Sequence, residues 1–212
     1  MNEQQPIVYL IDDDESFLRA VARLLSASGF SVSTHASASS FLEQWDREAP
    51  GCVVSDLRMP GVDGLSLQLA LAHSSNPLPL LFLTGQGDIA STVRAMREGA
   101  EDFLEKRAPQ EQLLDAVRRA LARDAVERSA RGRHATLAAS FKALTVRERE
   151  VLEQVVRGRL NKQIAADLGI HERTVKLHRM AMMSKLGVRS VAELTRLAQE
   201  AGLLAPLDPT PP

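Results

Sequence analysis

The sequence has little cysteine and no long apolar run. Its one cysteine, Cys52, lies within a hydrophobic stretch, which excludes a disulfide framework or a cysteine-built zinc site and indicates a core residue. No apolar run approaches the length of a transmembrane span. The first apolar run, at 7–11, leads at once into four acidic residues, a pattern that excludes a signal peptide. We therefore expect a cytoplasmic protein that does not enter a membrane.

An overall excess of charge is also absent, because 26 Lys and Arg residues nearly balance 27 Asp and Glu residues. The charges are nevertheless distributed unevenly. Residues 1–117 hold 8 basic and 17 acidic residues, a balance of −9. Residues 118–140 hold 6 and 2, and residues 141–212 hold 12 and 8, a balance of +4 in each segment. An acidic front and a basic rear suggest different partners for the two parts of the chain.

Strand-like and helix-like segments alternate through the first part of the chain. Short apolar runs of strand length lie at 7–11, 30–34, 52–56, 78–83 and 102–104. Helical patterns lie at 15–28, 37–45, 65–72, 89–97 and 110–129. Five βα units in this order predict an α/β fold with a doubly wound, five-stranded parallel sheet and right-handed crossovers. We infer the flavodoxin-like strand order 2-1-3-4-5.

The rear of the chain shows only helical patterns. Thr145 to Glu148 has the form of a capping box, and Asn161 is the expected cap of a second helix. Two further helices are predicted at 172–186 and 190–201, and this spacing is typical of a small all-α helix-turn-helix domain. We therefore predict four segments, namely an α/β domain at 1–122, a helical linker at 123–141, a helix-turn-helix domain at 142–204 and a flexible tail at 205–212.

Charged and polar side chains end four of the predicted strands. Asp12 and Asp13 follow the first strand, Asp56 ends the third, Thr84 the fourth and Lys106 the fifth. In the inferred strand order these ends meet at one edge of the sheet. Three carboxylates brought together repel one another, so either their pKa values rise or a cation binds.

The residue types at this edge suit a magnesium ion and a phosphoryl group. Mg²⁺ prefers one or two carboxylates together with waters and phosphate oxygens. We expect Asp13 and Asp56 as direct ligands, Asp12 as a ligand through water and the backbone carbonyl of Arg58 as a further ligand. Asp56 could then attack a phosphoryl group in line and form an acyl phosphate. The charge on the phosphoryl oxygens would be neutralised by Lys106 and hydrogen-bonded by the Thr84 hydroxyl.

The front of the chain, over about residues 5–122, resembles the receiver domain of bacterial response regulators. The resemblance rests on Asp12-Asp13, Asp56 with Met59-Pro60-Gly61 after it, Thr84-Gly85, and Phe103 with Lys106. It implies phosphorylation of Asp56 by a sensor histidine kinase, and joint movement of Thr84 and Phe103 on activation. The family commonly has proline after the lysine, whereas this chain has Arg107. A non-proline cis bond costs about 3–4 kcal/mol, so we expect a trans or strained peptide there.

The rear of the chain, residues 142–203, resembles the LuxR-type helix-turn-helix. The matching residues are Leu144-Thr145-Val146-Arg147-Glu148-Arg149-Glu150-Val151-Leu152, Asn161-Lys162-Gln163-Ile164-Ala165 and Thr174-Val175-Lys176-Leu177-His178. Together the two resemblances indicate the FixJ/NarL family of response regulators. They imply a transcription regulator that binds double-stranded promoter DNA and forms a homodimer on phosphorylation, with RNA polymerase as a candidate partner.

The predicted helix at 172–186 has an apolar and a basic side. Three apolar side chains are expected to face inward, namely Val175, Met182 and Leu186. Arg, Lys and Thr bind phosphates, whereas a few groups in the major groove read base edges. We expect Lys176 and Met180 near base edges, Leu177 as an apolar contact and His178 in either role. The expected phosphate contacts are Lys162, Arg173, Thr174 and Arg179.

The expected function is that of a phosphorylation-dependent regulator that is not an enzyme, and two other functions are alternatives to it. A haloacid-dehalogenase-like phosphatase also uses an aspartate nucleophile and Mg²⁺, but it needs a second aspartate two residues later, where this chain has Arg58. A DNA-binding protein could instead use the front domain as a phosphorylation-independent dimerisation module. Such a domain would normally lack one of the acids or the lysine, and this sequence has them all.

Overall fold

The structure is a computed structural model that describes residues 5–85 and 89–202. The chain divides into two compact units, a first unit of residues 1–129 and a second unit of residues 130–212. In the described part of the chain, no helix combines the length and the apolar character needed to cross a membrane.

Five parallel strands form the sheet of the first unit. The elements in chain order are β1 (Ile7–Ile11), α1 (Glu15–Ala27), β2 (Ser31–His35), α2 (Ala38–Gln44), β3 (Gly51–Ser55), α3 (Gly64–Ala72), β4 (Leu80–Thr84), α4 (Ile89–Arg97), β5 (Asp102–Glu105) and α5 (Gln110–Lys142). The strands lie in the order β2-β1-β3-β4-β5. The predicted doubly wound sheet and its strand order are therefore confirmed.

Side chains alternate between the two faces of this sheet, as strand geometry requires. Tyr9 and Val53 face a core shared with α2, α3 and α4. Their neighbours Val8 and Val54 face a core shared with α1 and α5. Cys52 lies in this second core and is fully buried, and burial raises the pKa of its thiol. The prediction that Cys52 is a core residue is confirmed.

Several predicted element bounds differ from the observed ones. β3 ends at Ser55, so Asp56 follows the strand rather than ending it. β4 begins at Leu80, two residues later than predicted. The helix predicted at 110–129 and the helical linker predicted at 123–141 form one continuous helix, α5, which ends at Lys142. The single glycine in this stretch, Gly132, does not end the helix, since its helix-forming neighbours outweigh a cost of about 1 kcal/mol.

The second unit is helical throughout its described residues. It holds the end of α5 together with α6 (Val146–Val156), α7 (Asn161–Leu168), α8 (Glu172–Leu186) and α9 (Val191–Glu200). Its core includes Phe141, Leu152, Ile164, Val175, Met182 and Leu194. Gly169 and Gly187 end α7 and α8 in the left-handed conformation that glycine adopts most easily. This arrangement agrees with the predicted helix-turn-helix spacing.

The two predicted helix caps had different outcomes. The capping box of α6 is present, with the Thr145 hydroxyl accepting the Glu148 N–H and the Glu148 carboxylate accepting the Thr145 N–H. Asn161 does not cap α7, because it is the first residue of the helix and Leu160 holds the cap position. The side chain of Gln163 accepts the Leu160 N–H. The side chain of Asn161 is not used as a cap and is available for another contact.

Candidate functional site

The first candidate site lies where β1 and β3 end. Ile11 is paired with Ser55 in the parallel register of these strands, so the residues that follow them, Asp12 and Asp56, lie side by side. Their backbones are held firmly, since the Asp56 N–H donates to the Ile11 carbonyl at 2.9 Å and the Asp12 N–H donates to the His35 carbonyl at 3.1 Å. The strands thus fix two carboxylates at one edge of the sheet.

Three carboxylates form a cluster at this edge. Asp12, Asp13 and Asp56 each place a ligand oxygen within 4.8 Å of the others. Asp12 is 1% exposed and Asp56 is 8% exposed, whereas Asp13 is open to solvent. Burial raises the pKa of Asp12, and hydrogen bonds from Lys106 and from the Asp14 backbone oppose that rise in part.

Lys106 supplies the positive charge of the cluster. Its ammonium nitrogen lies 2.8 Å from Asp56 Oδ2 and 2.5 Å from Asp12 Oδ2. It also lies 4.4 Å from the centre of the Phe17 ring, a favourable cation–π distance. Desolvation lowers the pKa of Lys106, but its bonds to Asp12 and Asp56 outweigh desolvation and raise it. Lys106 is therefore a charged partner of both buried carboxylates.

The backbone around Lys106 is ordered by the neighbouring strand. The Lys106 N–H donates to the Thr84 carbonyl at 2.8 Å. The Lys106–Arg107 peptide bond is trans, which is the unstrained of the two expected forms. A lysine can therefore reach the acidic cluster from the end of β5 without a cis peptide after it.

The cluster has the composition of a divalent-cation site. Three carboxylates and one ammonium leave a formal charge of −2 when all are ionised, and oxygen ligands of this kind suit Mg²⁺. The Arg58 N–H donates to Asp56 Oδ1 at 3.3 Å, which holds the backbone of Arg58 beside the cluster. The residues present therefore fit the ion that the sequence predicted.

Thr84 and Phe103 lie on neighbouring strands close to the cluster. Thr84 is buried at the end of β4 and is paired with Glu105 on β5. Phe103 is half-buried, and its ring centre lies 5.9 Å from that of Phe82. The structure thus brings both predicted switch residues to the β4–β5 pair, next to the strand end that leads to Lys106.

Sequence reasoning missed Gly64, the first residue of α3. A Cβ atom at this position would lie 2.7 Å from the Asp56 carbonyl oxygen and 2.7 Å from Phe82 Cε1. Its N–H donates to the Leu57 carbonyl at 2.9 Å. Only glycine allows α3 to begin this close to the backbone of Asp56. The glycine-rich turn was visible in the sequence, but the long-range approach to Phe82 was not.

The second candidate site is the exposed face of α8. Arg173, Lys176, Leu177 and Met180 are exposed, with Leu177 53% and Met180 66% accessible. Thr174 and His178 are half-buried. On the opposite side of the helix, Val175 and Met182 are buried and Leu186 is half-buried, which confirms the predicted inward side. Lys162 on α7 is exposed.

Two residues of this face have partners that the sequence did not indicate. Arg179 Nη1 donates to Asn161 Oδ1 at 2.8 Å, so this pair joins α8 to the first residue of α7. Arg179 is also half-buried and has this contact in addition to any phosphate contact. Lys176 Nζ lies 3.5 Å from Glu172 Oε1, one helical turn away. Glu172 was not among the predicted site residues.

Comparison with protein families identifies both parts of the chain. The family described as the response regulator receiver domain matches residues 8–118, and the family of bacterial regulatory proteins described as luxR matches residues 142–198. The chain belongs to the response regulators. This response regulator joins a receiver domain to a LuxR-type DNA-binding domain and is a transcriptional regulator. The resemblance inferred from its motifs is confirmed.

Relatives of this response regulator share both parts of the chain. The response regulator protein TodT of Pseudomonas putida is 40% identical over 199 residues, which cover 94% of this chain and 88% of TodT. The transcriptional regulatory protein FixJ of Azorhizobium caulinodans is 40% identical over 211 residues and the full length of both proteins. The solved structure of the response regulator StyR has a TM-score of 0.86 and 46% identity, covering 92% of this chain and 99% of StyR.

Proposed function

We propose that this response regulator is phosphorylated on Asp56 by a sensor histidine kinase and then dimerises and binds promoter DNA. The observation that carries the proposal is the contact of Lys106 Nζ with Asp56 Oδ2 at 2.8 Å, within a cluster that also contains Asp12 and Asp13. A half-buried lysine beside a carboxylate that follows a strand end is suited to receive phosphoryl oxygens when that carboxylate is modified.

The acidic cluster would provide both the nucleophile and the metal ligands. Asp13 and Asp56 would bind Mg²⁺ directly, Asp12 through water and Arg58 through its carbonyl oxygen. When bound, the ion would neutralise charge on the phosphoryl oxygens. A carboxylate oxygen of Asp56 forms the new bond to phosphorus while the bond from phosphorus to the histidine nitrogen of the kinase breaks.

Lys106 and Thr84 would stabilise the phosphorylated state. Lys106 already contacts Asp56 and can move its donors to a phosphoryl oxygen over a short distance. Thr84 lies on the neighbouring strand end, and its hydroxyl is the proposed donor to another oxygen. Movement of Thr84 toward the phosphoryl group would open space for the Phe103 ring. The changed surface of α4, β5 and α5 would then bind a second copy.

The second unit would read the promoter through α8. Lys176 and Met180 are the proposed base contacts, with Leu177 against an apolar base edge such as a thymine methyl. His178 would contact a base or a phosphate. The proposed phosphate contacts are Lys162, Arg173, Thr174 and Arg179, and for Arg179 this contact would add to its bond with Asn161. RNA polymerase is a proposed further partner, and promoter binding would occur in the cytoplasm.

In this proposal each segment of the chain has one role. Residues 1–122 accept the phosphoryl group, residues 123–141 connect the domains, and residues 142–204 bind DNA. The proposed flexible tail at 205–212 lies outside the described residues.

Labelling with acetyl phosphate tests the phosphoacceptor directly. The full chain with Mg²⁺ should gain one phosphoryl group, seen as one mass increment, and should gain none when divalent metal is removed. Asp56→Asn should abolish the increment. Asp63→Asn, which changes an exposed helix-capping aspartate, should leave it intact. Labelling that persists in Asp56→Asn would refute the assignment.

A further inference from the structure

An ion pair on α5, between the buried Asp124 and the partly buried Arg128, lies outside the acidic cluster. Asp124 is 1% exposed, and its Oδ2 accepts the Gly51 N–H at 3.0 Å. The Asp124 oxygen also lies 3.4 Å from Arg128 Nε, one turn further along the same helix. The carboxylate therefore links α5 to the first residue of β3.

Arg128 makes a second link to the segment before β3. Its Nη1 donates to the Glu48 carbonyl and its Nη2 to the Ala49 carbonyl, each at 2.9 Å. Because the guanidinium is planar and rigid, two donors aimed at consecutive carbonyls fix both the position and the rotation of the helix at this point. We name Asp124 and Arg128 the α5 clamp.

The segment that the clamp holds cannot easily move aside. A Cβ atom at Gly51 would lie 2.1 Å from the Ile7 carbonyl oxygen, so β1 and β3 approach closely here. The Ile7 N–H donates to the Pro50 carbonyl at 2.9 Å. Gly51 begins the same strand that leads to Asp56. The α5 clamp thus attaches the helix to the strand that carries the proposed phosphoacceptor.

In the first unit α5 also makes two ion pairs with the residues at the start of β5, Arg119 Nη2 with Asp102 Oδ2 at 2.5 Å and Arg123 Nη1 with Glu101 Oε2 at 2.8 Å, and its remaining packing is apolar. Its buried residues are Leu113, Ala116, Val117 and Ala120. Apolar contact is not directional, so alanine-rich packing permits a helix to slide or turn more readily than fixed hydrogen bonds do. Arg119 and Arg123 are exposed and reach residues at the start of β5, whereas the contacts of Asp124 and Arg128 attach α5 to β3 and the segment before it, and the helix continues to Lys142.

We propose that Asp124 and Arg128 are positioning residues that fix the register of α5 against β3, so that phosphorylation of Asp56 controls DNA binding. This inference rests on the proposed function. The α5 clamp combines a buried carboxylate with a partly buried guanidinium, and its fixed hydrogen bonds hold the helix in one geometry. Loss of the clamp should leave phosphorylation and dimerisation in place and uncouple them from DNA binding.

The test uses the full chain and a DNA fragment that the wild-type protein selects from genomic DNA. The measured quantity is the ratio of DNA affinities with and without beryllofluoride, a phosphoryl mimic. Wild type should show a ratio of roughly 5 to 150, the usual range of allosteric coupling. Arg128→Met keeps the aliphatic stem and removes the donors, and it should bring the ratio close to one.

Two further variants separate positioning from folding. Asp124→Asn retains an oxygen for the Gly51 N–H but loses the charge beside Arg128. It should therefore lower the ratio of DNA affinities less than Arg128→Met does. Arg19→Ala removes an exposed arginine of α1, outside the proposed dimer surface, that pairs locally with Glu15, and it should keep the wild-type ratio. All three variants should be labelled by acetyl phosphate as wild type is.

The outcomes are distinguishable. A wild-type ratio near one would refute the proposed function itself. If the wild-type ratio is normal and both Arg128→Met and Asp124→Asn show the same ratio, the clamp is structural only and the inference is overturned. A lower melting temperature of the variants would not change that conclusion. If Arg128→Met fails to fold, as judged by lost labelling, Asp124→Asn alone decides between the two.

Discussion

At the scale of single residues, Lys106 connects the chemistry and the stability of the receiver. It is the partner of two buried carboxylates, Asp12 and Asp56. Removing a charged partner leaves a buried group uncompensated, which costs more than the pair contributes when intact. The lysine is therefore expected to stabilise the fold as well as to make the proposed phosphoryl contact.

Lys106→Met should lower the free energy of unfolding at neutral pH by roughly 1–3 kcal/mol. Burial already raises the pKa of Asp12, and loss of Lys106 removes contacts that lower it. Because protonation then removes the unpaired charge, the deficit should shrink as pH falls through the raised pKa of Asp12. Urea unfolding across pH measures this, with exposed Arg107→Met as control. A deficit that does not change with pH would contradict the account.

Residues on α8 should differ in what their loss does to DNA binding. Lys176→Ala should relax sequence preference by about 1–3 kcal/mol at one base position, because a base contact is lost. Arg173→Ala should weaken binding to every sequence and reduce the salt slope by about one unit, because a phosphate contact is lost. Binding titrations at several salt concentrations separate the two effects. If both variants bind as wild type does, α8 is not the recognition helix.

At the scale of elements, α6 and α8 are joined through one buried carboxylate. Glu148 accepts the Thr145 N–H at 2.8 Å and lies 2.7 Å from Lys185 Nζ on α8. The hydrogen bond with Lys185, together with the capping bonds at Thr145, lowers the pKa of Glu148. A lowered pKa in the folded state means that this contribution to stability is present above the unfolded pKa and is lost as pH falls through the folded one.

Glu148→Gln should retain the capping box and lose the charge, lowering the stability of the second unit by about 1 kcal/mol at neutral pH. The difference from wild type should disappear in acid, where wild-type Glu148 is also neutral. Glu150→Gln on the same helix affects only a surface pair with Arg147 and should have little effect. Thermal unfolding at two pH values gives the comparison. An equal difference at both pH values would mean that charge is not the cause.

The elements show what the sequence could and could not predict. Local patterns were sufficient for the five strands, because each is a short apolar run and the order of parallel units is strongly restricted. The strand ends then placed Asp12, Asp56, Thr84 and Lys106 at one edge. The contact of Asp124 with Gly51 spans 73 residues, and no local pattern specifies a hydrogen bond at that separation.

The helices of the second unit also show which features the sequence could and could not predict. Asn161 has the residue type of a helix cap, yet its side chain binds Arg179, 18 residues away. Asn161 is the first residue of the helix and its side chain takes this tertiary contact, while the side chain of Gln163 accepts the N–H of Leu160, the cap residue. The helical extension of α5 was predicted as the linker at 123–141, and because residues 131–140 are mostly exposed, local helix propensity rather than packing accounts for most of it.

At the scale of the whole molecule, the account describes an equilibrium between two states that the phosphoryl group shifts. A ligand or modification moves such an equilibrium only by its difference in interaction with the two states, and a nearly complete shift needs about 5.5 kcal/mol. The proposed sources of that difference are the contacts of Thr84 and Lys106 with the phosphoryl oxygens and the packing of the Phe103 ring into the space that Thr84 opens. Dimerisation would then present two DNA-binding units to two half-sites.

Phe103 should be needed for this shift but not for phosphorylation. Phe103→Ala removes the ring that contacts Phe82, while the acidic cluster keeps all its members. The variant should be labelled by acetyl phosphate to the same extent as wild type and should fail to dimerise. A Phe103→Ala protein that dimerises normally would exclude the ring from the switch.

Sedimentation velocity of the full chain with and without beryllofluoride tests the central claim most directly, because it needs no knowledge of the promoter. The account predicts a monomer without the phosphoryl mimic and a dimer with it, and an unresponsive monomer for Asp56→Asn. A wild-type chain that stays monomeric in both conditions, or is dimeric in both, would contradict the claim that the state of Asp56 controls assembly.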